Sequence, residues 1–181
     1  MTEANEYLVQ LRTRVDQHFV EAVARTPTQF ACRAGCESCC HHRLSVFEVE
    51  AAPIREALAR LEHTDPESRR RIRERGLDPD ERACALLLDG RCSVYEHRPL
   101  ICRSHGLPIA VRESDEPGSA LRVDHCPLNF RDLHRGEIPR ASLLVLDAIN
   151  QPLAVLAELT APGRPRVELA HLAGAGAHNF S

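Results

Sequence analysis

Four cysteines fall within nine residues, Cys32-Arg33-Ala34-Gly35-Cys36-Glu37-Ser38-Cys39-Cys40, and four more, Cys84, Cys92, Cys102 and Cys126, are spread over the middle of the chain. Packing alone does not produce such a cluster, since buried structural cysteines are scattered among aliphatic residues. Thiolates at this density repel one another and need something positive or covalent to hold them: a metal ion, an iron–sulfur cluster or disulfides. Metal ligation requires convergent, deprotonated sulfurs, which Cys-x3-Cys and Cys-x2-Cys spacings supply from a single loop. Eight cysteines divide naturally into two four-sulfur sites. One would draw on Cys32, Cys36, Cys39 and a distant cysteine, the other on Cys40 and the remaining three. The adjacent pair Cys39-Cys40 suits that division, because neighbouring side chains usually diverge. A single four-sulfur site with further cysteines around it is the alternative.

Other residue types near the cysteines could support such a site. Arg98 and Arg103 bracket Cys102. Four thiolates around Zn2+ or an oxidised four-iron cluster leave an excess of about two negative charges. Guanidinium groups beside them would offset that excess and lower the cysteine pKa values. Tyr95 can add a phenolic hydrogen bond. A surface salt bridge and a packed ring explain the same three residues equally well. His41, His42, His97, His105 and His125 also lie near cysteines, and His105 is the best of them as a substitute ligand or proton donor; each reads more readily as non-catalytic. The spacing Cys32-x3-Cys36-x2-Cys39 matches the three-cysteine loop of radical-SAM enzymes. Those need most of a (β/α) barrel, and neither the length nor the pattern of this chain provides one.

With 181 residues and 43% hydrophobic content, the chain is expected to fold as one domain. Only five Phe and two Tyr supply aromatic volume, so Leu, Val and Ala must build the core. The formal charge of −3 argues for neither nucleic acid nor an acidic partner. All 23 basic residues are Arg, which removes Schiff-base lysines and P-loop chemistry and is what a GC-rich genome produces. The acidic start, Met1-Thr2-Glu3-Ala4-Asn5-Glu6, is not a signal peptide, and no run approaches the ~20 apolar residues of a membrane span. A cytoplasmic location is therefore expected. Thiols stay reduced there, so eight cysteines point to metal rather than disulfides.

The elements that must position the cysteines follow from periodicity and punctuation. Tyr7, Leu8, Leu11, Val15, Phe19, Val20 and Val23 predict a helix from Glu3 to about Arg25, ended by Thr26-Pro27. Ser45-Val46-Phe47-Glu48 has the form of a capping box before a helical run. Pro53 interrupts that run, either kinking the helix or marking its true start. Asp65-Pro66-Glu67 opens another helix, with Gly76 as its stop and a basic face read as a solvated helix end rather than a nucleic-acid patch. Asp89-Gly90 centres a β-hairpin in which Leu88 faces Arg91 and Leu87 faces Cys92. Pro99 opens a short helix carrying Cys102. From Gly106 to Val123 a loop is expected, with one strand at Leu107–Arg112 and a turn at Asp115-Glu116-Pro117-Gly118. The last third reads as helical, as one kinked piece or as Ser142–Asn150 and Gln151–Thr160. The segment Arg166–Leu172 docks back, and the end from Gly174 frays.

Taken together, these residues resemble a known family. Cys36, Cys39 and Cys40, followed by Cys92-Ser93-Val94-Tyr95-Glu96-His97-Arg98-Pro99-Leu100-Ile101-Cys102-Arg103, look like the YkgJ-type cysteine-cluster proteins, described as a zinc- or iron-chelating domain. That family shows Cys-x2-Cys-x2-Cys-Cys, a spacer, then Cys-x2-Tyr-x2-Arg-Pro-x2-Cys-Arg. The second motif matches at Cys92, Tyr95, Arg98, Pro99, Cys102 and Arg103, while Cys32 departs by one inserted residue. The resemblance covers roughly residues 30 to 130 and is specific, since two motifs agree in order. It implies bound iron–sulfur or zinc, and support of the site by Arg98 and Arg103. Some relatives are described as Fe–S oxidoreductases, and a larger one is a flagellin lysine methylase. This chain is short for an added methyl-donor site and has no nucleotide-binding glycine motif.

The expectation is a small, mainly α single domain, with helices around an irregular cysteine-rich metal-binding core and one short β-hairpin. An N-terminal amphipathic helix (1–29) and a C-terminal helical segment (131–181) would pack on the cysteine-cluster region (30–130). The metal ligands would come from Cys32, Cys36, Cys39, Cys40, Cys84, Cys92, Cys102 and Cys126, with Tyr95, Arg98 and Arg103 beside them. The cofactor would be an iron–sulfur cluster, 4Fe–4S before others, or Zn2+. The role would be redox or accessory to a protein partner, with no nucleic acid and no membrane involved; a zinc-based interaction module and a group-transfer enzyme are the alternatives.

Overall fold

The computed structural model describes residues 3–114, 116 and 119–175. In chain order its elements are α1 (Glu3–Arg25), β1 (Ser45–Val46), α2 (Glu48–Thr64), α3 (Pro66–Leu77), β2 (Leu87–Leu88), β3 (Arg91–Cys92), α4 (Leu100–Ser104), β4 (Ile109–Arg112), β5 (Leu121–Asp124), β6 (Leu144–Val145), α5 (Asp147–Thr160), β7 (Val167–Glu168) and α6 (Leu169–Gly174). Short 3-10 turns lie between them, among them Ser38–Cys40 and Tyr95–His97. The fold is mainly α, with a few short strands. The chain gathers into two compact units, one made of Met1–Arg33 and Leu100–Val155, the other of Ala34–Pro99 and Leu156–Ser181. Among the described residues no helix is long and apolar enough to cross a membrane.

In the first unit, α1 has the expected bounds but a narrower apolar stripe. Leu8, Leu11, Val15 and Ala22 are buried, whereas Tyr7 and Val20, which lie to either side of that stripe, are exposed. Helix α1 packs on α4, and Arg103 of α4 pairs with Asp16 of α1 at 2.5 Å. Two expectations for this unit are corrected. The stretch from Gly106 to Val123 has the expected strand as β4 but also a second one: β5 pairs with β4 in a second hairpin, from Ile109↔Asp124 to Arg112↔Leu121. Nor is Leu143–Leu146 helical. Leu144 and Val145 form β6, which pairs in parallel with Ile109 and Ala110 of β4, and α5 starts only at Asp147. A short apolar run suits a buried strand as well as a helix, and here the open edge of β4 decides. From Asp147, α5 continues through Pro152 as one helix. The expected turn at 115–118 lies largely outside the described residues, as does the expected fraying beyond Ala175.

In the second unit, α2, α3, α6 and the β2–β3 hairpin enclose a core of Val46, Ala51, Ile54, Leu58, Ile72, Leu86, Val94, Leu169 and Leu172. The capping box is corrected. Ser45 and Val46 form β1, antiparallel to β7 with Ser45↔Glu168 and Val46↔Val167, and Phe47 caps α2 without a side-chain hydrogen bond. Strand pairing fully buries Val46, which outweighs a cap worth about 1 kcal/mol. Helix α2 starts at Glu48 and runs through Pro53. Asp65 caps α3 as expected, accepting a hydrogen bond from the Ser68 N–H at 3.0 Å.

Gly76 does not stop α3, which continues to Leu77. It sits where α3 meets α6, and any Cβ there would press on the backbone of Ala170, Ala173 and Gly174. The buried Arg69 ties the same two helices, donating to the carbonyls of Ala173 (2.8 Å) and Ala175. The basic face of α3 is ion-paired along its length: Arg70 with Glu67 and Glu74, Arg71 with Asp89, Arg73 with Glu62, Arg75 with Glu81. Such a face offers little net charge to nucleic acid. The β2–β3 hairpin has the expected register, Leu87↔Cys92 and Leu88↔Arg91, with Asp89 and Gly90 at φ 50° and 74° as a tight two-residue turn requires.

Candidate metal centre

None of the eight cysteines is in a disulfide. Five of them, Cys36, Cys39, Cys40, Cys84 and Cys92, belong to the second unit. Cys39 and Cys40 lie on the Ser38–Cys40 turn, which is closed by a 2.7 Å hydrogen bond from the Cys40 N–H to the Glu37 carbonyl. Their side chains do not diverge as expected of neighbours. They hydrogen-bond to each other, and this contact, with burial, drives the Cys39 pKa far above the ordinary thiol range. The Cys84 N–H donates to the Cys40 carbonyl at 2.6 Å, so backbone pairing fastens the second cysteine segment to the first. Cys84 lies outside the paired strands of the hairpin, and both Cys84 and Cys92 pack on the edge of the hydrophobic core. Burial pushes both thiols up, and for Cys84 the nearby Cys92 and Cys39 add to the shift. Cys36 stands nearer solvent, its sulfur 3.8 Å from the Ser38 hydroxyl.

Arg98 and Arg75 bring positive charge to this group, Arg75 at Cys84 and Arg98 at two further cysteines. The charge of Arg98 favours the thiolates of both Cys39 and Cys92, and its guanidinium lies 3.6 Å above the centre of the Tyr95 ring. Its Nε donates to the Tyr95 carbonyl at 3.1 Å. Tyr95 is thus a platform that holds Arg98 by a cation–π contact. His97 accepts a hydrogen bond from Arg60 at 2.9 Å. A cavity of about 580 Å3 opens beside Cys84, with Arg43, Arg75, Arg82, Asp78, Glu81 and Glu168 among its lining residues. Arg75 pairs with Glu81 in its wall, and the cavity carries little net charge to select a ligand.

The remaining three cysteines belong to the first unit. Cys102 is carried by α4, whose Arg103 is engaged by Asp16. His105 donates from Nδ1 to the Ile101 carbonyl at 2.6 Å, which spends that nitrogen on the helix. The carbonyl of Cys126 accepts from the Asn129 N–H (2.9 Å) and from His125 Nδ1 (3.1 Å). Cys32 sits against Gly106 and the side chain of Asn129, whose Nδ2 is 3.4 Å from its sulfur. The sequence did not single out Asn129. It makes this contact across 97 positions, and no local pattern signals a partner at that range.

Among the described residues no three His, Cys, Asp or Glu side chains converge as a ready metal site. The donors fit a thiophilic metal in kind. They are cysteine sulfurs, five of them in one unit, with the charge of Arg98 reaching Cys39 and Cys92, that of Arg75 reaching Cys84, and side-chain and backbone hydrogen bonds around them. A metal held there would be bound through Cys39, Cys40, Cys84 and Cys92.

Compared with known proteins, residues 31–120 match the family model CxxCxxCC, described as "Putative zinc- or iron-chelating domain". No curated protein and no solved structure matches the chain. The matched segment holds the Cys39-Cys40 turn, the β2–β3 hairpin with Cys92, and α4 with Cys102. Through residues 31–120 the chain is similar to the CxxCxxCC domain.

Proposed function

We propose that the chain binds a metal through cysteine thiolates and that this metal is iron, in a four-iron iron–sulfur cluster serving a redox or accessory role for a protein partner in the cytoplasm. The ligands come from Cys32, Cys36, Cys39, Cys40, Cys84, Cys92, Cys102 and Cys126. The observation that carries the reading is the Cys39–Cys40 contact with Cys84 hydrogen-bonded to the same turn and Cys92 close by in the same unit. Thiols packed this closely suppress one another's ionisation, and a cation that replaces their protons relieves that cost. Cysteine-only donors favour iron–sulfur or zinc over harder metals. When bound, a cluster exchanges electrons, whereas zinc holds the loops in place. The family description supports the zinc reading too, in which the protein is an interaction module.

Anaerobic purification followed by an absorption spectrum and metal analysis tests this. Brown protein with iron and acid-labile sulfide supports the cluster. Colourless protein with stoichiometric zinc replaces it by the zinc module. Protein that takes up neither metal overturns both. Cys39→Ser and Cys102→Ser should each lower bound metal and melting temperature together, because site assembly and folding are coupled. Unchanged metal content and melting in both variants removes these two residues from the ligand set.

A further inference from the structure

Cys39 and Cys40 are neighbours in the chain, and their side chains hydrogen-bond to each other. The backbone that carries them is held from two sides. The Cys40 N–H closes the Ser38–Cys40 turn on the Glu37 carbonyl at 2.7 Å, and the Cys84 N–H reaches the Cys40 carbonyl at 2.6 Å. All of these residues belong to one compact unit. Both cysteines are partly buried, and neither is in a disulfide. Among the described residues no three His, Cys, Asp or Glu side chains converge as a ready metal site, so what the fold presents in advance is a pair of thiols in contact.

Two touching thiols suit one thiophilic centre better than others. Tetrahedral zinc or an iron–sulfur cluster needs further thiolates gathered around it, and a linear two-coordinate cation needs its sulfurs on opposite sides. Trivalent arsenic bonds as a pyramid with its sulfurs side by side. Its product with two thiols is neutral, so no charge is left in a partly buried site. We propose that Cys39 and Cys40 form a dithiol site for monosubstituted trivalent arsenicals, R–As=O. Each sulfur forms one As–S bond, the As=O bond breaks, and the oxygen leaves as water with the two thiol protons. Arsenic stays trivalent and no electron is transferred. The turn holds the pair before the ligand arrives, which removes part of the ordering cost of chelation. The proposal rests on the contact between the thiols and not on which metal the chain holds.

The test uses the full chain, reduced and treated with a chelator, with phenylarsine oxide as the probe. The intact mass should rise by a single phenylarsine oxide less a water, and the adduct should survive excess monothiol and be reversed by a dithiol. Alkylation should then find Cys39 and Cys40 protected, a readout that needs no variant. Cys39→Ser and Cys40→Ser should each weaken binding about 10²–10⁴-fold, because the second As–S bond is no longer made within the chain. In urea the two cysteines stay adjacent but the turn is gone, and affinity should fall. Protection of other cysteines instead, loss of the adduct to monothiol, or equal affinity folded and unfolded overturns the proposal, whatever metal the chain binds. A chain that forms this adduct but takes up neither zinc nor iron overturns the metal reading alone.

Discussion

Replacing Gly76 by alanine separates two effects of opposite sign. In an isolated helix the change is favourable by about 1 kcal/mol, since alanine loses less backbone entropy. Gly76 lies inside α3 with ordinary helical geometry, so it needs no special conformation. Its surroundings reverse the sign. A Cβ would stand 2.7 Å from the Ala170 carbonyl oxygen, 2.8 Å from the Ala173 carbonyl carbon and closer still to the Gly174 nitrogen. All three are backbone atoms of α6, so no side chain can rotate away. Helix α6 must shift until these gaps exceed 3.0 Å, which also stretches the hydrogen bonds from Arg69 to Ala173 and Ala175. Overpacking of this kind costs about 1–3 kcal/mol, leaving a net loss of up to about 2 kcal/mol after the helix gain. For a chain of this size that lowers the melting temperature by up to about 8 °C. Thermal unfolding followed by far-UV circular dichroism measures it. Gly136→Ala is the control, since nothing lies within 4 Å of a Cβ at that position, and its effect should stay within about 0.5 kcal/mol. A Gly76→Ala protein that melts at or above the parent refutes the close helix contact.

Asp65→Ala should destabilise by about 1 kcal/mol by removing the cap on the Ser68 N–H; denaturant titration that leaves the midpoint unchanged would show that the cap contributes nothing. Protein stripped of metal by a chelator should lose stability above about pH 8.5. Burial raises the Cys84 and Cys92 thiols above their unfolded values, so the fold keeps protons that the unfolded chain releases. Their contribution is complete below the unfolded thiol pKa and is lost as pH rises toward the folded one, by about 1.4 kcal/mol per pH unit for each thiol that stays protonated. Melting curves from about pH 7.5 to 10 should decline, and Cys84→Ala should flatten that decline; a rise over this range contradicts the assignment.

Much of the fold was legible where the physics is local. The proline after Thr26 ends α1, the Asp65 cap starts α3, and Asp89-Gly90 sets the register that puts Leu87 opposite Cys92. Each is decided within a few residues, so a single chain suffices to read it. The cysteine segments and their spacing were legible for the same reason, as was the narrow set of metals that sulfur donors accept. The apolar stripe of α1 was less so, because periodicity could not say that Tyr7 and Val20 flank it rather than fill it.

The rest had no local signal. Strands of two residues, such as β1, β6 and β7, exist only because a distant backbone supplies their hydrogen bonds. Gly76 looks like a helix stop in the sequence, yet its reason is a backbone some hundred residues away. Cys39 and Cys40 turn toward each other, Cys84 hangs from the Cys40 carbonyl, and Asn129 reaches Cys32 across 97 positions. What the sequence by itself determined was the chemistry available, because donor type and turn residues are properties of single positions. Which donors meet, and which buried groups stand behind them, was decided by the tertiary structure, because a contact between remote segments depends on every element that folds between them.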